Sequence, residues 1–204
     1  MHGIVTLLDQ SAYAAVAAVW AELAREFGLG GVRRTPFPHF SYQIAAAYDP
    51  LRLEAALMAF AREQRPFTVR ASGLGVFTGP APVLYVPVVR TAVLSAFQAA
   101  LWEAAASRAT DPDAYYTPDR WMPHITLAQH DLDAARLGQV VAALGARDLT
   151  WEITVDHLAY IEDHGATSEV RLRVPLSLPF NQERMADGRG DHRQAALSTK
   201  REGR

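Results

Sequence analysis

Trp121-Met122-Pro123-His124-Ile125-Thr126-Leu127 is the stretch on which the reading of this 204-residue chain turns. With Ala128 behind it, the run has the apolar composition of a buried strand. Side chains alternate between the faces of a strand, so His124 and Thr126 share one face. Eighty-five positions earlier the pattern recurs in Phe37-Pro38-His39-Phe40-Ser41-Tyr42-Gln43-Ile44. Each copy carries Pro before the His and a hydroxyl residue two places after it. A single His-x-hydroxyl strand is commonly structural. Two copies at equivalent points of a repeated pattern can bring two imidazoles and two hydroxyls to one small anionic group.

The flanking segments repeat in the same order. A buried strand over 3–8 leads to a helix that Ser11 can cap, with Val16, Val19, Leu23 and Phe27 facing inward. Gly28, Gly30 and Gly31 end that helix. A nucleotide-binding glycine loop follows a strand, so these glycines read as a loop terminator. The His39 strand runs to Ala46, and Asp49-Pro50 opens a second helix with Leu51, Leu53, Leu57 and Phe60 inward. Strands follow over 67–70 and 83–89, with Pro87 marking an edge or a bulge in the second. The second round starts with a helix over 92–107, its Val93, Leu94, Phe97, Leu101 and Trp102 toward the core. A turn-rich loop over 110–120 leads into the His124 strand. Asp131 or Asp133 can cap the next helix, which Gly145 ends. Two last strands, 151–160 and 170–176, are joined by a polar hairpin.

This order predicts an α+β fold built from a duplicated unit, with a cleft between the two histidine strands. Residues 1–180 form one domain of two pseudo-symmetric halves, roughly 1–90 and 91–180. The polar stretch 181–204 reads as a disordered tail. Its Arg189-Gly190-Asp191 tripeptide is a chance match to an integrin ligand.

Composition narrows the function. Half the residues are apolar, enough for a sizeable core, and the formal net charge is −2. The tail holds six cations and four anions, which leaves the rest near −4. A broad electrostatic footprint for duplex nucleic acid is therefore not expected. There is no cysteine, hence no disulfide, thiolate metal site or Cys nucleophile. No apolar run of membrane-spanning length and no secretory leader is seen, so a cytoplasmic protein with no membrane contact is expected.

Two histidines titrating near neutrality can serve as general base and general acid in one site. A phosphodiester needs both, one to activate the attacking oxygen and one to protonate the leaving alkoxide. The Ser41 and Thr126 hydroxyls can donate to non-bridging oxygens as charge builds on them. Each proton-transfer role is typically worth about 10²–10⁴ in rate, so the pair suffices without a metal or cofactor. The remaining histidines, His2, His130, His157, His164 and His192, show no metal-ligand spacing and read as structural or solvent-facing. Arg33, Arg34 and Arg120 lie near the motifs and could hold a phosphate through paired N–H groups. Among the aromatic residues, Tyr115, Tyr116 and above all Trp121 could stack on a base, whereas Tyr42 should turn into the core.

The chain resembles the 2H phosphoesterase superfamily, which includes 2′-5′ RNA ligase-like proteins and cyclic nucleotide phosphodiesterases. The resemblance rests on His39-Phe40-Ser41-Tyr42 and His124-Ile125-Thr126-Leu127, the second matching most closely. It extends over 3–176 in layout. It implies a bilobal α+β fold with antiparallel sheets lining a central cleft, and a metal-independent site there. The implied substrate is a 2′,3′-cyclic phosphate RNA end or a similar small nucleotide, with 2′-5′ ligation as a further activity. It also implies His124 as the base and His39 as the acid. Two other readings use the same residues: a non-catalytic RNA-end or nucleotide-binding module, and a metal-dependent hydrolase.

Overall fold

The computed structural model describes residues 2–177. In chain order the elements are β1 (His2–Leu7), α1 (Gln10–Phe27), β2 (His39–Tyr48), α2 (Pro50–Arg62), β3 (Phe67–Ser72), β4 (Gly75–Phe77) and β5 (Val83–Pro87). Then come α3 (Ala92–Ala106), β6 (Ala109–Pro112), β7 (His124–Ala128), α4 (Ala134–Gly145), β8 (Thr150–Val155), β9 (His157–Asp163) and β10 (Ser168–Pro175). The fold is α+β, and all its strand pairings are antiparallel. One sheet has the order β10-β9-β1-β2-β6 and a second β4-β5-β7, while β3 pairs with β8. A bridge from Ala71 to Val88 ties β3 to the strand end of β5.

Side-chain caps set the helix starts. Asp9, Asp49, Thr91 and Asp133 each accept a backbone N–H three residues on. Asp9, rather than Ser11, therefore opens α1, and its second oxygen also accepts the N–H of Thr154 in β8. Asp133 takes the α4 cap, which releases Asp131 for another task. Gly28 closes α1 in the left-handed region at φ 69°, where a side chain would be strained.

Each of the two sheets takes strands from both 1–90 and 91–180, and the helices cross over as well. α1 leaves the five-stranded sheet and packs on β7 and β8, whereas α3 packs on β2 and β6. One continuous core results, joining Val16 and Leu23 of α1, Phe40 and Tyr42 of β2, Phe97 and Leu101 of α3, and Ile125 and Leu127 of β7.

Several expectations are corrected. The loop over 110–120 contains β6, paired with β2, and a short 3-10 turn, Ala114–Tyr116. The strand expected over 151–160 breaks at Asp156 into β8 and β9, which join different sheets. β5 is the middle strand of its sheet rather than an edge. Pro87 is tolerated as its last residue, and the irregularity lies at Leu84/Tyr85. Leu51 and Val93, placed in the core by helical spacing, are 80% and 60% exposed because both sit in the first turn of their helices. Residues 181–204, with the Arg189-Gly190-Asp191 tripeptide, lie outside the described residues. No helix among the described residues is long and apolar enough to cross a membrane.

Candidate active site

Both histidine strands are held by the same backbone device. In the first sheet Leu7 pairs with His39, Thr6 with Phe40 and Val5 with Ser41, after which Ile4 pairs with Gln43. In the second, Pro87 pairs with His124, Val86 with Ile125 and Tyr85 with Thr126, after which Leu84 pairs with Ala128. One residue is therefore extra in each histidine strand, Tyr42 in β2 and Leu127 in β7. Each is a β-bulge three positions after the His. A bulge reverses the in-out alternation beyond it. Accordingly His39, Ser41 and then Ile44 face the cleft in β2, and His124, Thr126 and then Gln129 face it from β7.

The bulges also free main-chain carbonyls from the ladder. The Ser41 carbonyl accepts from the Trp121 indole N–H at 2.8 Å, and the Thr126 carbonyl from the Trp20 indole at 3.0 Å. The carbonyl of the bulge residue Tyr42 accepts from the Gln98 amide of α3 at 3.1 Å. The first of these bonds joins the two motifs, and the other two tie the bulges to α1 and α3. Trp121, expected to stack on a ligand, is instead 1% exposed and stacks on the Tyr42 ring. Its buried N–H needs an acceptor, and the bulge supplies one.

Each imidazole is oriented by its own chain. His39 Nδ1 lies 2.9 Å from the Phe37 carbonyl, and His124 Nδ1 lies 2.7 Å from the Met122 carbonyl. A carbonyl only accepts, so Nδ1 carries hydrogen in both rings and Nε2 is left for chemistry. The proline before each His has a matching use. Its carbonyl accepts from the other strand, Pro38 from Leu8 N–H and Pro123 from Val88 N–H. Burial lowers both histidine pKa values below the ordinary imidazole range, against the opposing effect of these carbonyl bonds. His39 is lowered further by repulsion from His124, so the two rings sense each other's charge. The His124 ring has an aromatic wall of its own, with Phe77 edge-on at 4.9 Å and Tyr85 at 5.2 Å.

His39, Ser41, His124 and Thr126 meet in one cavity of about 240 Å³ between the two sheets. Tyr116, among the expected binding residues, also lines it. Arg34 and Arg120 do not. The 3-10 turn Gly31–Arg34 directs Val32 inward and leaves Arg33 and Arg34 exposed. The Arg120 guanidinium lies over the exposed Tyr115 ring at 4.9 Å.

A 2′-5′ RNA ligase superfamily model matches residues 10–167. The chain belongs to the 2′-5′ RNA ligase superfamily. Among solved structures it is similar to TT0787 of Thermus thermophilus, at 18% identity and a TM-score of 0.54, over 86% of this chain and 97% of that one. It is also similar to Usb1 of Kluyveromyces marxianus, at 12% identity and a TM-score of 0.45, over 86% and 97% of the two chains. No curated protein gives a significant match. At 18% identity the TT0787 structure establishes the fold alone, and that fold is α+β, as the family resemblance implies.

In this superfamily member the sequence reading missed several residues, of which the bulges turn Ile44 and Gln129 inward. Ile44, Gln129, Asp113 and His130 all line the cleft. Arg90 was missed as well. It donates to the carbonyls of Trp121 and Pro118 and so fixes the segment that delivers His124. The glycine loop after α1 is filled from within, because the Asp131 carboxylate accepts from Gly30 N–H at 2.7 Å and from Gly31 N–H at 2.6 Å. A place for an external anion is thereby closed. Glu162, His164 and Glu169 gather their ligand atoms at the β9–β10 hairpin. Arg171 already bridges the two carboxylates, at 3.2 and 3.1 Å, and serves as the cation there.

Proposed function

We propose that this chain is a phosphoesterase that opens a cyclic phosphodiester by acid–base catalysis between His39 and His124. The observation that carries this reading is the matched pair of imidazoles. Both hold Nδ1 on a main-chain carbonyl, which leaves Nε2 free, both line one cavity, and His39 feels the charge of His124. Such a pair works with one ring neutral and the other protonated. The neutral ring takes a proton from water as the water oxygen bonds to phosphorus. The protonated ring gives its proton to the ribose oxygen as the P–O bond breaks, leaving a phosphomonoester. Ser41 and Thr126 donate to the non-bridging oxygens, where negative charge increases. Following the family resemblance, His124 is the base and His39 the acid. The substrate is a 2′,3′-cyclic phosphate on a nucleotide or RNA end. A 2′-5′ ligation uses the same displacement with a ribose 5′-hydroxyl in place of water: its oxygen bonds to phosphorus, the bond to O3′ breaks and O3′ takes the proton.

The test is hydrolysis of 2′,3′-cyclic nucleotides in EDTA by wild type, His39→Ala and His124→Ala. Wild type should turn over, and each variant should lose about 10²–10⁴ in kcat/KM. Because both pKa values are lowered, the bell-shaped pH profile of kcat/KM should be displaced to the acid side of about 6.5. Full activity in either variant would sink the pair. Loss of wild-type activity in EDTA would point to the metal-dependent reading, and binding without turnover to the binding module.

A further inference from the structure

We infer that His130 is a third imidazole of the site and holds the phosphate group of the substrate, an inference that rests on the phosphoesterase reading above. Two independent features support it. The first is the chemistry of the cleft. Among the described residues lining it none is Lys or Arg, while two, Asp113 and Asp163, are acidic. An anionic phosphodiester entering this cavity meets cation-capable groups only at His39, His124 and His130. His39 and His124 must spend their Nε2 positions on proton transfer, and Ser41 and Thr126 supply neutral donors. His130 is the remaining ring able to offer an N–H to a phosphate oxygen without leaving its post during the reaction.

The second feature is the backbone. His130 has φ 73°, a left-handed conformation that non-glycine residues rarely adopt and that strains the backbone where it is found. The conformation is enforced from both sides. Next along the chain, Asp131 is locked by its two bonds to Gly30 and Gly31. Gly31 in turn abuts the Gln129 carbonyl so closely that a Cβ there would lie 2.5 Å from that oxygen. Three glycine-loop contacts thus hold one histidine in a costly pose at the cleft rim. Strain of this kind collects at functional sites, and here it sets the imidazole at the mouth of the cavity that holds His39 and His124.

His130→Gly removes the ring and relaxes the backbone, so its fold should hold, with a melting temperature equal to or above that of wild type. With a 2′,3′-cyclic nucleotide, KM should rise about tenfold or more while kcat falls less than threefold, as expected for loss of a charge-assisted hydrogen bond made throughout the reaction. Binding of a nucleoside 3′-phosphate, measured by calorimetry, should weaken by the same factor, and binding of the unphosphorylated nucleoside should not change. Asp131→Asn should move KM in the same direction by a smaller factor. Unchanged KM and phosphate affinity in a folded His130→Gly protein would overturn the assignment and leave the His39/His124 reading intact. Equal weakening of nucleoside and nucleotide would overturn it too, placing His130 on the base. Wild type that neither turns over nor binds any of these probes would defeat both readings together.

Discussion

β2 is a ten-residue strand enclosed between β1 and β6, whereas β7 has five residues and lies at the edge of its sheet. Register, bulge position, Nδ1 acceptor and proline carbonyl are nevertheless the same in both. Their surroundings differ. Ser41 is 9% exposed, and Thr126 is half-buried. His124 is walled by Phe77 and Tyr85, His39 only by the Phe37 ring at 6.0 Å. The backbone device fixes where each imidazole and hydroxyl stands. The neighbouring strands decide how much room each has, and so which substitutions each copy can accept.

The largest effect should come from separating the two histidine roles. On a substrate whose leaving oxygen is replaced by sulfur, protonation of the leaving group is no longer needed. His39→Ala should then recover most of its 10²–10⁴ loss, while His124→Ala should recover little. Recovery by the His124 variant alone would exchange the two roles. Recovery by both would mean that neither ring acts as the base.

Exchanging the hydroxyls comes next. Thr126→Ser keeps the donor at a half-buried edge position and should hold activity within about threefold. Ser41→Thr adds a methyl group in an enclosed strand, and overpacking of this kind costs about 1–3 kcal/mol of stability. Removing the donors, with Ser41→Ala and Thr126→Val, should each lower kcat by about 10²–10³. If Ser41→Thr proved as stable as wild type, the contrast in enclosure would be wrong.

The indole locks give a smaller contrast, read in stability. Trp121→Phe leaves the Ser41 carbonyl unpaired inside the core, at a cost of about 1–3 kcal/mol for the lost partner. Trp20→Phe frees the Thr126 carbonyl at a sheet edge, where water can replace the indole, and should cost less. Equal losses in urea unfolding would show that the two carbonyls are equally sealed.

The reading of the chain divides along the same lines. The Pro-His-x-hydroxyl repeats were legible because two-residue periodicity is local, and it places His39 with Ser41 and His124 with Thr126. The α+β layout followed from element order, and its antiparallel sheets from the family resemblance. The bulges were not legible, since Tyr42 and Leu127 are ordinary strand residues with nothing to mark them as extra. The inward turn of Ile44 and Gln129 was therefore missed. His130 was read as structural or solvent-facing, and Trp121 was given to the ligand although its N–H partner, Ser41, lies 80 residues away. Arg34 and Arg120 were chosen for sequence proximity, which a 3-10 turn and a surface aromatic contact undo.

The smallest expected effect is a dependence of stability on pH. His39 and His124 both have folded pKa values below the roughly 6.5 of an unfolded imidazole, chiefly through burial. Between the folded value and 6.5 the unfolded chain binds more protons, so stability rises with pH there. It is fully present above about 6.5 and is lost as acidification carries the pH down through the folded values. His157, buried beside Asp156 and Arg173, is lowered as well and should leave part of this dependence in any variant of the pair. His39→Gln and His124→Gln should each shrink the gap between urea midpoints at pH 5 and pH 7.5. Repulsion requires both rings to be charged, so removing either one relieves it. The double variant should then shrink the gap by less than the two singles added together. Strict additivity would mean that the rings do not sense each other, and that the cleft does not join the two strands closely enough to share a proton between them.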